Sequence, residues 1–218
     1  MESVLINILL YALPMLFALT LHEAAHAYVA DYFGDPTPRS LGRLSLNPAV
    51  HIDPFGTVVL PILLYLGSHG NFFMGYAKTP VNFSKLRNPK KQMGWVSLAG
   101  PAANLAMAWG WQVWGDLLMS MGVSEPYFLK MATGGVQINL FLCVLNLIPL
   151  PPLDGGRVLL SWLPTHWAVP FGKIEPYGFL ILMVLMITDV LSLWMKPMLA
   201  LTGGIIHFLT SPFSFFLN

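Results

Sequence analysis

The sequence predicts an all-α polytopic membrane protein. A three-helix core is expected over about residues 3–160 and further helices over about 176–212, with residues 1–218 forming one integral-membrane domain. Three observations predict this class. The 218 residues are 56% hydrophobic and only 10% charged, against about 25% charged in an ordinary soluble domain. Mean hydropathy is +0.65, so lipid rather than water suits most of the surface. Finally, residues 3–33, 93–119, 130–149 and 177–195 each reach the roughly 20 apolar residues that a spanning helix needs.

The first stretch opens Met1-Glu2-Ser3 without a basic residue. It runs past the length of a signal-peptide core and reads as a retained span. Pro14 removes one backbone donor and predicts a kink. Residues 55–67, "FGTVVLPILLYLG", are apolar but short, with Pro61 in the middle. They are expected to re-enter the membrane or lie on it as a hairpin, with a true span as the alternative. Residues 72–83, "FFMGYAKTPVNF", mix aromatic and β-branched residues with Gly and Pro, which predicts a small membrane-associated β segment. Such an edge survives at membrane depth only against protein or a wet cavity. Residues 198–212 are expected as a short span or an interfacial piece.

Basic residues set the orientation. Arg39, Arg43, Lys78, Lys85, Arg87, Lys90 and Lys91 lie between the first and second stretches, and Arg157 and Lys173 between the third and fourth. The positive-inside bias places these loops on the cytoplasmic side and the N-terminus outside. The net charge of +1 leaves no footprint for nucleic acid. The lone Cys143 cannot form an internal disulfide and reads as a small buried hydrophobe.

Within the first stretch stands "LHEAAHAYVA", residues 21–30. Ionisable side chains at membrane depth are functional by default. His22 and His26 fall four apart, on one helical face, with Glu23 beside them. In this H-E-x-x-H pattern two imidazoles bind zinc and the glutamate activates a water. A third ligand must come from another segment at the same depth. His22 is about 28 Å along the helix from Ser3, towards the cytoplasmic end. The third apolar stretch ends there too, in "NLIPLPPLDGGR", residues 146–157. Its prolines forbid ordinary helix, and Asp154 follows. Two histidines and one aspartate leave a fourth zinc position open, as a catalytic site requires. Asp154 as a plain helix cap, with Gly155 and Gly156 as turn residues, is the competing reading.

HEAAH at 22–26, "AGPAAN" at 99–104 and "NLIPLPPLDGG" at 146–156 resemble the site-2 protease family of intramembrane metalloproteases, over most of residues 18–160. "LNPAVHIDPFG" at 46–56 is similar to a segment of its compact bacterial members. The resemblance implies one zinc ion per chain on His22, His26 and Asp154, with Glu23 as base and substrate contacts from Asn146. It implies a transmembrane-helix substrate, cut in a bacterial cytoplasmic membrane on the cytoplasmic side. PDZ or CBS domains, common in relatives, have no room here.

Asn146 or Asn104 is expected to supply a donor for the oxyanion, although Asn104 could equally be helix glue beside Gly100, Ala102 and Ala103. His51 and Asp53 could orient a ligand from behind or belong to a loop turn. Two rivals compete with the enzyme: a catalytically silent zinc-binding scaffold or chaperone, which has no need of Glu23, and a small ion transporter. Transporters often carry internal inverted repeats, and none is visible. Asp189, inside the fourth stretch, has no role on this reading.

Overall fold

The computed structural model describes residues 2–51, 59, 62, 63 and 79–217. Helix dominates, and no strand occurs among the described residues. α1 is one continuous helix from Glu2 to Tyr32, with Pro14 inside it. A one-turn helix, α2, covers Thr37–Ser40. α3 spans Pro89–Ser120 and α4 Pro126–Asn146. Proline opens both, which suits a first turn whose N–H would go unpaired anyway. Left-handed glycines end α1 and α3: Gly34 has φ +108° and Gly122 φ +71°, a conformation that costs glycine nothing. α5 covers Asp154–Trp162, α6 Thr165–Gly172, α7 Gly178–Ile187 and α8 Val190–Leu217.

α1, α3 and α4 pack on one another as the core, α5 lies across α3, and α8 covers α3 and α4. α3 makes this close packing possible. Its buried residues include Gly94, Ser97, Gly100, Asn104, Ala108 and Gly115, a nearly continuous small-residue face at three- and four-residue spacing. Small residues let backbones approach where lipid supplies no hydrophobic driving force between helices. Met15, Ala18 and Leu19 of α1 meet Leu142 of α4. Val144 and Leu145 of α4 meet Met195 of α8, and the Trp194 indole donates to the Val144 carbonyl at 3.1 Å.

Among the described residues, three helical stretches can cross a membrane by length and composition: Pro126–Asn146, Thr165–Ile187 and Val190–Pro212. Only the first is mostly buried. The other two expose large apolar side chains, such as Phe179 at 72%, Leu193 at 75% and Phe208 at 75%. Isolated exposed apolar residues are ordinary, but faces of them call for lipid. The molecule is a membrane protein.

Two expectations need correction. Residues 177–195 are not one span, because the chain breaks at Asp189, whose φ is +57°. Aspartate tolerates this left-handed conformation better than most residues. Its carboxylate then accepts from the Ser192 hydroxyl at 3.1 Å and its carbonyl from the Ser192 amide at 3.1 Å, which starts α8. The Asp189 that had no role is therefore a helix break. Residues 198–212 are not a short piece but the middle of that 28-residue helix. Most of the hairpin at 55–67 and most of the β segment at 72–83 lie outside the described residues. At the described end of that segment, residues 79–82 carry no regular secondary structure and Phe83 opens a 3-10 turn.

Candidate metal centre

His22 and His26 sit on the buried face of α1, at 7% and 8% exposure. Each imidazole is held from behind. His22 Nδ1 donates to Asn104 Oδ1 at 2.6 Å, and His26 Nδ1 to the Val96 carbonyl at 2.7 Å. The direction of the first bond follows from its neighbours. The Asn104 amide group donates to the Ala18 carbonyl at 3.3 Å and to Asn139 Oδ1 at 3.0 Å, so its oxygen must face His22. With both Nδ1 atoms facing acceptors, the protons of neutral rings lie there and both Nε2 atoms carry lone pairs.

Those lone pairs converge. The two Nε2 atoms are 3.0 Å apart, and each is 3.3 Å from Asp154 Oδ2. That oxygen is buried and has no hydrogen-bond partner. Three acceptors without a shared proton repel one another, and a cation between them removes the repulsion. The donor set of two imidazoles and a carboxylate suits zinc. Among the described residues these three form a group that could hold a metal ion.

Close backbone approach fixes the geometry. A Cβ on Gly100 would collide with His26 Nε2, and would stand 2.5 Å from His22 Cε1 and 2.6 Å from His22 Nε2. Only glycine lets α3 pass so near both rings. Asp154 is the first residue of α5, and Leu153 occupies the cap position. The carboxylate is thus free to point at the histidines. Gly155 and Gly156 are helical rather than turn residues. A Cβ on Gly155 would strike the Leu147 carbonyl, and one on Gly156 the Pro151 nitrogen. The proline-rich turn and the start of α5 therefore interlock, and this fixes the place of Asp154 relative to the end of α4.

The histidines and Asp154 open onto a cavity of about 630 Å³, walled also by Glu23, Ser97 and Asn146. Thr79, Pro80 and Val81 form another wall. Their segment is tied to α1 and to the loop that follows it: the Thr79 hydroxyl donates to the Glu23 carbonyl at 3.2 Å, and the Asn82 backbone amide to Asp35 Oδ2 at 2.7 Å. Phe83, Arg157 and Glu175 also line it, with the Arg157 guanidinium 5.1 Å above the Phe83 ring and 3.6 Å from Glu175 Oε1.

The chain aligns with the Bacillus subtilis protein named "Putative zinc metalloprotease YwhC" at 36% identity over 196 residues, 86% of this chain and 84% of the relative. It aligns with "Putative zinc metalloprotease Rip2" of Mycolicibacterium smegmatis at 33% identity, over 82% of this chain and 67% of the relative. The Rip2 of Mycobacterium tuberculosis matches at 30% identity, with the same shares covered. The chain belongs to this site-2 protease-like family of zinc metalloproteases. No family model matches the chain, and no solved structure does.

In this metalloprotease the remaining candidates fall in different places. Asn104 has both amide hydrogens engaged and its oxygen on His22. It has no donor left for an oxyanion and acts on the ring instead. Asn146 lines the cavity, with one amide hydrogen given to the Leu142 carbonyl at 3.0 Å. His51 is buried, its Nε2 bonded to the Ser45 carbonyl at 2.8 Å, and it does not line the cavity. Asp53 lies outside the described residues. Sequence reasoning missed Asn139, which is fully buried and links Asn104 to α4, donating in turn to the Gly135 carbonyl at 2.8 Å. An amide in the middle of an apolar span was the available signal.

The Asn104 bond carries a prediction. Asn104→Leu leaves His22 Nδ1 without its acceptor, and the ring loses both its tautomer and its orientation. Removing such a partner typically weakens metal binding by about 10–100-fold. Competition with a chromogenic zinc chelator should show that loss, with His22 and His26 themselves intact.

Proposed function

We propose that the chain is an intramembrane zinc endopeptidase, with one zinc ion per chain on His22, His26 and Asp154. It hydrolyses a peptide bond within or near a transmembrane helix of a membrane-protein substrate. The observation that carries the reading is the convergence of the His22, His26 and Asp154 ligand atoms on a cavity that Glu23 also walls. A silent scaffold would have no use for that fourth group.

A zinc ion bound there supplies Lewis acidity to an attacking water and to the substrate carbonyl. The protein's own groups do the rest. Glu23 takes a proton from the attacking water and gives it to the leaving amine. Asn104 and the Val96 carbonyl hold the two rings in the tautomer that leaves Nε2 free. Asn146 has one N–H left for the substrate main chain. The cavity volume falls within the range of about 300–1,000 Å³ usual for ligand sites.

A transmembrane helix hides its peptide bonds in its own hydrogen-bond ladder, so cleavage requires an unwound stretch. Residues 79–82, irregular and tied to α1 beside Glu23, offer main chain to which an extended substrate can pair. The positive-inside bias supports an N-terminus outside, alternating spans, and a site towards the cytoplasmic face of a bacterial membrane.

The test is cleavage of a single-span substrate by the purified protein in lipid vesicles, with the cut mapped by mass spectrometry. A cut inside or beside the span, abolished by a zinc chelator, is the expected result. Replacing a helix breaker near the cut by leucine should slow cleavage by about tenfold, since helix propensity differs by about 1 kcal/mol for Gly and more for Pro. An unchanged rate would remove unwinding from the mechanism.

A further inference from the structure

We propose that the Ser97 hydroxyl is the hydrogen-bond donor to the scissile carbonyl oxygen as negative charge builds on it. The proposal rests on the endopeptidase reading and gives a role to a residue that it leaves unused. Ser97 is 1% exposed, and its Oγ has no hydrogen-bond partner. Buried hydroxyls are rarely left unpaired, because water has been given up with nothing in return. In a helix the usual remedy is a bond back to a carbonyl three or four residues earlier. Ser120, Thr133, Ser161 and Thr202 all take it here. Ser97 does not, although it too lies within a long helix.

Its position gives the reason. Ser97 is on the wall of the cavity that His22, Glu23, His26 and Asp154 share. It follows Val96, whose carbonyl holds His26. It precedes by three residues Gly100, where α3 touches both imidazoles, so the two residues share a helical face. The amide on the same stretch of α3, Asn104, has no donor to spare. A donor aimed where charge develops, in a site that excludes water, is among the strongest catalytic devices. Ser97 forms and breaks no covalent bond. Its Oγ has no base within hydrogen-bond reach, as a serine nucleophile needs, and the transferred proton travels by way of Glu23.

The test compares the parent, Ser97→Ala, Ser97→Thr and Ser97→Cys as full-length proteins in lipid vesicles. It reads kcat, KM, zinc per chain, and affinity for a phosphinic peptide shaped like the tetrahedral intermediate. Ser97→Ala should lower kcat by about 10²-fold and weaken the phosphinic peptide, with KM and zinc content unchanged. Ser97→Thr, which keeps the hydroxyl, should recover most of the rate. A purely structural serine would not separate kcat from KM in this way. An unchanged kcat in Ser97→Ala overturns the proposal, and so does a fall that threonine fails to recover. Should the alanine variant lose its fold or its zinc, Ser97→Cys decides: it is near in size and a weak donor, so a lowered kcat with zinc retained supports the role and a parental kcat overturns it. A parent that binds zinc but cleaves nothing would instead remove the endopeptidase reading itself, and the role of Ser97 with it.

Discussion

Asp154→Asn is expected to abolish zinc binding and cleavage together. Asp154 is the one anionic member of the ligand set. Its Oδ2 stands 3.3 Å from both Nε2 atoms and has no other partner, so nothing else needs the charge. The amide keeps the shape and removes the charge. It also lets an N–H turn towards the two lone pairs and take the place of the ion. Divalent zinc bound by two neutral rings and an amide loses most of its electrostatic stabilisation, and metal binding tracks the deprotonated ligand count. Zinc per chain, measured by plasma mass spectrometry after dialysis, should fall from one to about a tenth or less, and cleavage by about 10³-fold or more. Full zinc occupancy in this variant would show that the ion sits elsewhere.

Glu23→Gln should separate what the first variant joins. Glu23 lines the cavity beside His22 and lies three residues before His26, a neighbour on its side of the helix, but it is not one of the three residues whose ligand atoms converge. The glutamine retains size and polarity and loses only the ability to take a proton. Zinc content should stay at one per chain, while kcat falls by about 10²–10⁴-fold, the usual worth of a positioned general base. Loss of zinc along with activity would make Glu23 a ligand and not a base. Parental activity would mean that the proton goes to another group.

The legibility of the sequence varied with the kind of constraint. Apolar length announced a helical membrane protein, because a bilayer demands a long run of greasy residues whatever the fold. The four-residue spacing of the histidines announced a shared face, because it is a property of the helix itself. The meeting of Asp154 with the two histidines was suggested by the prolines before it, which end the helix ahead of that residue. What escaped was tertiary. Nothing in the order of residues says that Asn104 would meet His22 through its oxygen, since this depends on Asn139 occupying its amide from another helix. Nor could Gly100 be read as the point where α3 clears two imidazoles. As part of "AGPAAN" it suggested only close helix packing, which was correct in kind but silent about the partner. Asp189 escaped for the opposite reason. Hydropathy averaged over 177–195 is blind to one residue in the left-handed region, and that residue decides that the stretch is two helices.

The most direct measurement of the central claim is X-ray absorption at the zinc edge on the purified protein as isolated. The account predicts nitrogen and oxygen neighbours only, at about 2.0–2.2 Å, with the outer-shell scattering of two imidazoles. Asp154→Asn should remove the edge, and Glu23→Gln should leave it in place. A sulfur neighbour, a single imidazole, or a spectrum unaffected by Asp154→Asn would contradict it.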